Sequence, residues 1–346
     1  MGDKTGIEWT ATVNADGTIT PGATWNPVTG CSKISPGCAH CYAEKVADRF
    51  WPTQYAPVMD VDSGRDRPRV FSDVLTHWDR LDQPLRWKRP RKVFVNSMSD
   101  LFHEDVPDAF IERVFSVMGL AERHVFQVLT KRPERMLAWF RARRFDVKAA
   151  AILQSESGVC HYALPWPLPN VWLGVSVENQ HFADERIPLL LQTAAAVRFI
   201  SAEPLLGPLN LGTYGWLAGC DACCNGDRCP GPPECTRFDR RSCPVCRGTA
   251  NGPNLDWVIV GGESGPGARP CAIEWIESIV KQCRAAGVPP FVKQLGARPV
   301  FSTPACVTSS SYCAQGHALP LRDRKGGDIA EWPDDLRVRE MPAGAR

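Results

Sequence analysis

The 346-residue sequence contains no uninterrupted apolar run of the roughly 18 residues that a membrane-crossing helix requires. Its opening residues, "MGDKTGIEWTATVN", include no apolar stretch of signal-peptide length. These two absences lead to the expectation of a soluble protein that stays in the cytoplasm and contacts no membrane. Net charge is scarce as well: 40 Lys and Arg face 38 Asp and Glu, a formal charge of +2. A dedicated nucleic-acid-binding protein would carry a stronger basic excess. The locally basic stretches "RWKRPRK" (86–92) and Lys131 to Arg144 read as solvated surface. No internal repeat of fixed period is present, and no H-E-x-x-H pattern, which makes a zinc hydrolase the last of three readings, behind a metal-dependent enzyme of another kind and a non-catalytic adaptor. With 44% hydrophobic and 23% charged residues, wholesale disorder is excluded and a large core is expected.

Cysteine is abundant, with fifteen in the chain. A reducing cytosol discourages structural disulfides and leaves thiolates free for metals, so metal binding is the leading reading of that number.

Short runs rich in Val, Ile and Phe recur, each followed by a longer stretch of helical periodicity. The runs are "ATWNPV" (23–28), "RKVFVN" (91–96), "HVFQVLT" (124–130), "VWLGVSV" (171–177), "VRFISA" (197–202), "LDWVIVGG" (255–262) and "PPFVKQ" (289–294). Helices are expected over 108–124 and 272–288, the second closed by Gly287 and Pro289. Alternation of this kind implies a parallel sheet, and the number of units points to an α/β fold of the partial (β/α) barrel kind, with an open doubly wound sheet as the alternative. The barrel is expected from residues 1–211 together with 255–296. Residues 212–254 read as a Cys-rich insertion and 297–346 as a C-terminal extension.

Nearly every candidate strand runs out into polar residues. They include Asn96, Ser97, Ser99 and Asp100, then Lys131 and Arg132, Ser176 and Glu178, Ser201 and Glu203, Glu263, and Lys293 with Gln294. In a β/α barrel these positions surround the rim where catalytic groups collect. Cys31, Cys38 and Cys41 follow the first strand with the spacing Cys-x6-Cys-x2-Cys, on a loop whose turns are supplied by Gly30, Pro36 and Gly37. Three thiolates suit a zinc site completed by His40 or His103, a [4Fe–4S] cluster with one iron left open, or simply three buried thiols. An incomplete coordination sphere at an active rim favours the cluster and catalysis.

That loop resembles the cluster-binding loop of radical S-adenosylmethionine enzymes, although their commonest first gap is three residues and here it is six. More specifically, "GIEWT", "TWNPVTGCSKISPGCAHCYAE", "VFVNSMSDLFHEDVP", "QVLTKRPERM", "WLGVSVENQ", "SAEPLLGPL", "WVIVGGESGPGARP" and "FVKQLG" resemble a phage and prophage family of three-cysteine-motif proteins. The segments "NSMSD" and "LTK" are distantly similar to spore photoproduct lyases. The resemblance implies that Cys31, Cys38 and Cys41 hold a [4Fe–4S] cluster and that S-adenosylmethionine completes it. Cleavage of that cofactor would yield a 5′-deoxyadenosyl radical. It also implies that Asn96, Ser97, Ser99 and Asp100 contact the cofactor's methionine end, while Ser176 and Glu203 approach cofactor or substrate. A nucleic acid or nucleotide is the implied substrate class, and an electron donor the implied partner. Lys131, Glu203 and Glu263 are the candidate catalytic groups, with Lys293 able to pair with a carboxylate; a structural ion pair is the plain account of the same residues.

Residues 220–246 carry seven further cysteines. Cys220 with Cys223 and Cys243 with Cys246 form two C-x2-C knuckles nineteen residues apart, the pattern of a zinc ribbon. A segment this short and rich in Gly and Pro cannot bury enough apolar surface to fold alone, so structural Zn2+ is expected to crosslink it. Cys224, Cys229 and Cys235 are left for a second zinc site or an auxiliary iron–sulfur cluster. Surrounding arginines suit phosphate contacts or solubility equally. The rival from another class is a non-catalytic, zinc-stabilised adaptor for nucleic acid or protein. "GGESGPGARP" (261–270) matches no phosphate-binding pattern and reads as a loop at the barrel mouth. Cys160, Cys271, Cys283, Cys306 and Cys313 read as small buried hydrophobes, and Trp9, Trp25 and Trp87 as core or lid packing.

Overall fold

The computed structural model describes residues 4–13, 16–60, 64–142, 166–212, 216–217, 254–301 and 317–342. The chain divides into two compact units, Met1–Trp172 and Leu173–Arg346. The strands of the main sheet are β1 (Ala23–Trp25), β2 (Lys92–Val95), β3 (Val125–Thr130), β4 (Val171–Ser176), β5 (Val197–Ala202), β6 (Trp257–Gly261) and β7 (Pro290–Gln294). Neighbours follow chain order from β1 to β7, and the register is parallel between β1 and β2, β2 and β3, β5 and β6, and β6 and β7. The order is linear, so the sheet is open, as a partial barrel requires.

In the first unit, α1 (Tyr42–Gln54), α2 (Asp108–Leu120) and α3 (Pro133–Ala142) supply the helical layer. The apolar side of α2 is buried through Phe110, Ile111, Val114, Phe115 and Met118, and Phe115 stacks on Trp139 of α3 at 5.0 Å. Trp9, Trp25 and Trp87 are buried at 3%, 0% and 7% exposure, which makes them core packing.

In the second unit, α4 (Gln180–Leu191) begins at Asn179, whose side chain accepts from Phe182 N and so satisfies one of the free amides of the first turn. α5 (Ile273–Ala285) buries Ile273, Ile276, Ile279, Val280 and Cys283. Every residue of β4 and of β6 is buried, as in strands covered on both faces. The C-terminal segment is stitched to this unit rather than trailing from it. Val292 N donates to Val338 O at 2.9 Å, Leu295 N to Gly326 O at 2.8 Å and Trp257 Nε1 to Glu340 O at 2.8 Å. Pairing at β7 in this way covers backbone groups that an edge strand would leave open. Cys271–Ala272, Pro299–Phe301 and His317–Ala318 form a separate small sheet.

One sequence expectation needs correction. The basic stretches are not uniformly solvated, because Lys92 is 3% exposed with Nζ 3.4 Å from Ala11 O, and Arg132 is 8% exposed. Lys92 points off a central strand and Arg132 is drawn inward by carboxylates, so neither remains in water. Among the described residues, no helix is long and apolar enough to cross a membrane. Most of the expected insertion, 212–254, lies outside the described residues, as do Cys160, Cys306 and Cys313.

Candidate functional site

The cysteine loop leaves the carboxyl end of β1 and is tied to the segment following β2. Asn96 N donates to Trp25 O at 2.8 Å, Gly30 N to Met98 O at 3.0 Å, and Cys31 N to Phe71 O at 2.9 Å. The Ser97 hydroxyl donates to Asn26 Oδ1 at 3.2 Å and the Ser99 hydroxyl to Val28 O at 2.8 Å, while Asn96 Oδ1 accepts from Val28 N at 3.3 Å. Three of the residues expected to contact a cofactor thus hold the backbone that carries the cysteines. Asn96 adopts φ +61°, a left-handed conformation that asparagine tolerates better than most residues. Its Nδ2 is buried without a hydrogen-bond partner among the described residues. Gly30, at φ +97°, sits against the Asp73 and Phe71 carbonyls, where any Cβ would collide.

Asp100 joins the ends of β2 and β3. It accepts from Phe102 N at 3.0 Å, Thr130 Oγ1 at 2.7 Å, Lys131 N at 3.0 Å and Arg132 Nη1 at 3.3 Å. Arg132 extends the connection to the loop: Nη1 donates to Cys31 Sγ at 3.5 Å, Nη2 to Ser32 Oγ at 2.8 Å and Ser32 O at 3.3 Å, and Nε to Glu104 Oε2 at 2.9 Å. His103, 2% exposed, lies within 2.8 Å of Ser32 Oγ through Nε2, and its Nδ1 accepts from Asp105 N at 3.2 Å. Burial, and after it the charge of Arg132, holds its pKa below the ordinary value. With both ring nitrogens engaged, His103 is badly placed to close a zinc site.

Cys31, Cys38 and Cys41 are free thiols, each partly exposed. Burial pushes Cys31 up to about 12, the nearby Asp100 carboxylate adding to the rise and Arg132 opposing it. Burial raises Cys41 too. Cys38 adds to the rise at both Cys31 and Cys41, so the three cysteines lie near one another. Among the described residues no three His, Cys, Asp or Glu side chains converge tightly enough to hold an ion as the chain stands. Ligation of a metal would require each thiol to give up its proton. The donor set is three thiols beside a fixed guanidinium, soft ligands with a balancing positive charge, and it fits an iron–sulfur cluster. Beside the loop opens a cleft of about 380 Å3, lined by Cys31, Ser32, Lys33, Glu44, Phe71 and Ser72 among others.

The second unit has its own row of polar groups at strand ends. Lys293 Nζ lies 2.6 Å from Glu203 Oε1, and the Ser176 hydroxyl donates to Glu203 O at 3.2 Å. Glu263 is gripped by Arg269, with Nη2 2.6 Å from Oε1 and Nε 2.9 Å from Oε2. Glu178 and Arg186, both buried, pair at 3.2 Å. The expected lysine–carboxylate pairing therefore occurs at Glu203 with Lys293, while Glu263 takes an arginine. Cys271 and Cys283 are fully buried, as expected of small core residues. Cys220, Cys223, Cys243 and Cys246, assigned to zinc, lie outside the described residues.

A family model described as "Protein of unknown function (DUF5131)" matches residues 4–320. The chain belongs to the DUF5131 family. No curated protein and no solved structure matches it.

In this DUF5131 chain the sequence reading singled out the three cysteines and Asp100 but not the roles of Arg132, Ser32 and Glu104. Glu104 follows Asp100 by four residues and Arg132 directly follows Lys131, so both lie inside motifs already marked. Their convergence on Cys31 depends on strand order, which no local pattern encodes.

Proposed function

We propose that this DUF5131 member is a radical S-adenosylmethionine enzyme built on a radical-SAM-type partial barrel, with Cys31, Cys38 and Cys41 as the ligands of a [4Fe–4S] cluster. The observation that carries the reading is the anchored cysteine loop, with the Arg132 guanidinium on Cys31 Sγ and both nitrogens of His103 engaged elsewhere. When bound and reduced by one electron, the cluster would cleave S-adenosylmethionine to methionine and a 5′-deoxyadenosyl radical that takes a hydrogen atom from substrate. The chain's own contribution is positional. Asn96, Ser97 and Ser99 fix the backbone ahead of the loop, and Asp100 locks the ends of β2 and β3 beside it. Cys31 and Cys41, held as neutral thiols by burial, must each release a proton to ligate iron. Glu203 and Glu263 are the proposed catalytic carboxylates of the second unit, paired with Lys293 and Arg269. A nucleic acid or nucleotide is the substrate class, a cytoplasmic reductant the electron donor, and the Cys220, Cys223, Cys243 and Cys246 knuckles a structural zinc site.

The test is anaerobic reconstitution with iron and sulfide. The wild type is expected to gain about four irons and the visible absorbance of a cluster. It should also form 5′-deoxyadenosine from S-adenosylmethionine and dithionite, and Cys38→Ala should lose both properties. A protein that takes up zinc alone, with no iron at the loop, is the adaptor of the rival reading and overturns the proposal.

A further inference from the structure

Arg132 stands out among the described residues of the first unit. Its side chain is 9% exposed, and it makes five hydrogen bonds to four residues. Carboxylates of Glu104 and Asp100 hold it from one side, and Ser32 holds it through both backbone and hydroxyl oxygens. The remaining contact is the sulfur of Cys31 at 3.5 Å. An arginine needed only to tie β3 to the segment after β2 would be satisfied by the carboxylates. This one is aimed so that a permanent positive charge and an N–H donor meet the first cysteine of the loop.

We infer that Arg132 is a positioning residue that sets the reduction potential of a cluster bound at Cys31, Cys38 and Cys41, by donating a charged hydrogen bond to the Cys31 sulfur. The inference rests on the iron–sulfur reading proposed above. Hydrogen bonds to ligand sulfur and nearby positive charge stabilise the more negative, reduced state of a cluster and so raise its potential. A charge-assisted bond is about twice as strong as a neutral one, and the guanidinium cannot lose its charge at accessible pH. Glu104, Asp100 and Ser32 keep the fork from swinging toward solvent when the sulfur gains negative charge. No bond is made or broken: one electron enters from dithionite and is stored on the cluster.

The test compares reconstituted wild type, Arg132→Gln and Arg132→Lys by iron content and by redox titration followed spectroscopically. Arg132→Gln is expected to load iron and to make reduction at least tenfold less favourable, a shift of about 59 mV to more negative potential for a one-electron couple. Arg132→Lys keeps the charge but loses the fork, and is expected to shift the same way by about threefold. A residue acting only as scaffold would change loading or melting temperature and leave the potential of loaded protein in place. An unshifted or more positive potential in loaded Arg132→Gln overturns the inference while leaving the iron–sulfur reading intact. Should Arg132→Gln not fold, the sign of the Arg132→Lys shift decides: negative supports, zero or positive overturns. Wild type that takes up no cluster overturns the parent reading and this inference with it.

Discussion

At the scale of single residues, Asp100 gathers more of the site than any cysteine does. Its carboxylate, 6% exposed, accepts from two backbone amides, a hydroxyl and a guanidinium drawn from the end of β3 and the segments that follow β2 and β3. Removing it leaves those donors buried and Arg132 with one carboxylate fewer, so Asp100→Ala should cost about 3–5 kcal/mol, the range for breaking a buried charged network by one partner. Denaturant unfolding checks this, and a loss below about 1 kcal/mol would show that the network relaxes onto water. Glu203 makes a contrasting case. Its ion pair with Lys293 is 2.6 Å long, but the side chains keep 17% and 20% exposure, and pairs in reach of solvent contribute at most about 1 kcal/mol. Glu203→Gln is therefore expected to leave stability nearly unchanged. If Glu203 handles substrate, turnover measured with 5′-deoxyadenosine as the readout should fall far more than stability does.

At the scale of elements, strand existence was legible and strand function was not. The run "VRFISA" coincides with β5, and the others bracket their strands to within one or two residues, except "ATWNPV", which breaks after Trp25. It breaks because Pro27 lacks an amide and the chain turns to pair Val28–Thr29 antiparallel with Leu75–Thr76. Residues buried on both faces carry an unbroken apolar signal, whereas a side chain's partner depends on segments dozens of positions away, as with Arg132 and Cys31. The partners of polar strand ends were illegible for the same reason: the Ser97 hydroxyl donates to Asn26 and the Ser99 hydroxyl to Val28 O, each 71 positions away. Two glycines test how tightly the elements are set. A Cβ at Gly174 of β4 would lie 2.6 Å from the Phe199 ring of β5, so Gly174→Ala should destabilise by about 1–3 kcal/mol through overpacking. Gly30→Ala should displace Cys31 itself, because a left-handed φ and two carbonyls oppose the added carbon. Its expected signature is impaired iron uptake at a secondary-structure content equal to wild type, read by circular dichroism and metal analysis together.

At the scale of the whole molecule, buried titratable groups give the folding of each unit its own dependence on pH. In Met1–Trp172, His77 is held down to about 4, first by burial and then by the charges of Arg80 and Arg69, and its Nε2 lies 2.6 Å from Thr29 Oγ1. An unfolded histidine keeps its ordinary value of 6.5, so between about 6.5 and about 4 the unfolded chain binds a proton that the folded chain refuses. Stability of that unit therefore falls as pH drops through this range, and His77→Gln should flatten the fall. In Leu173–Arg346, burial lifts Cys271 and Cys283 to about 12 from 9.0. Between those values the unfolded chain releases protons that the folded core retains, so stability falls as pH rises. Each thiol contributes a slope of about 1.4 kcal/mol per pH unit, and Cys283→Ala should reduce the alkaline slope by one proton. The measurement is denaturant unfolding of iron-free protein from pH 4 to pH 11, followed with probes in each unit. A metal-free thiol at Cys31, also lifted to about 12, adds an alkaline contribution in the first unit, and reconstitution should remove it because a ligating sulfur has no proton left to lose. An alkaline slope in Met1–Trp172 that persists unchanged after iron loading would place Cys31 outside the cluster.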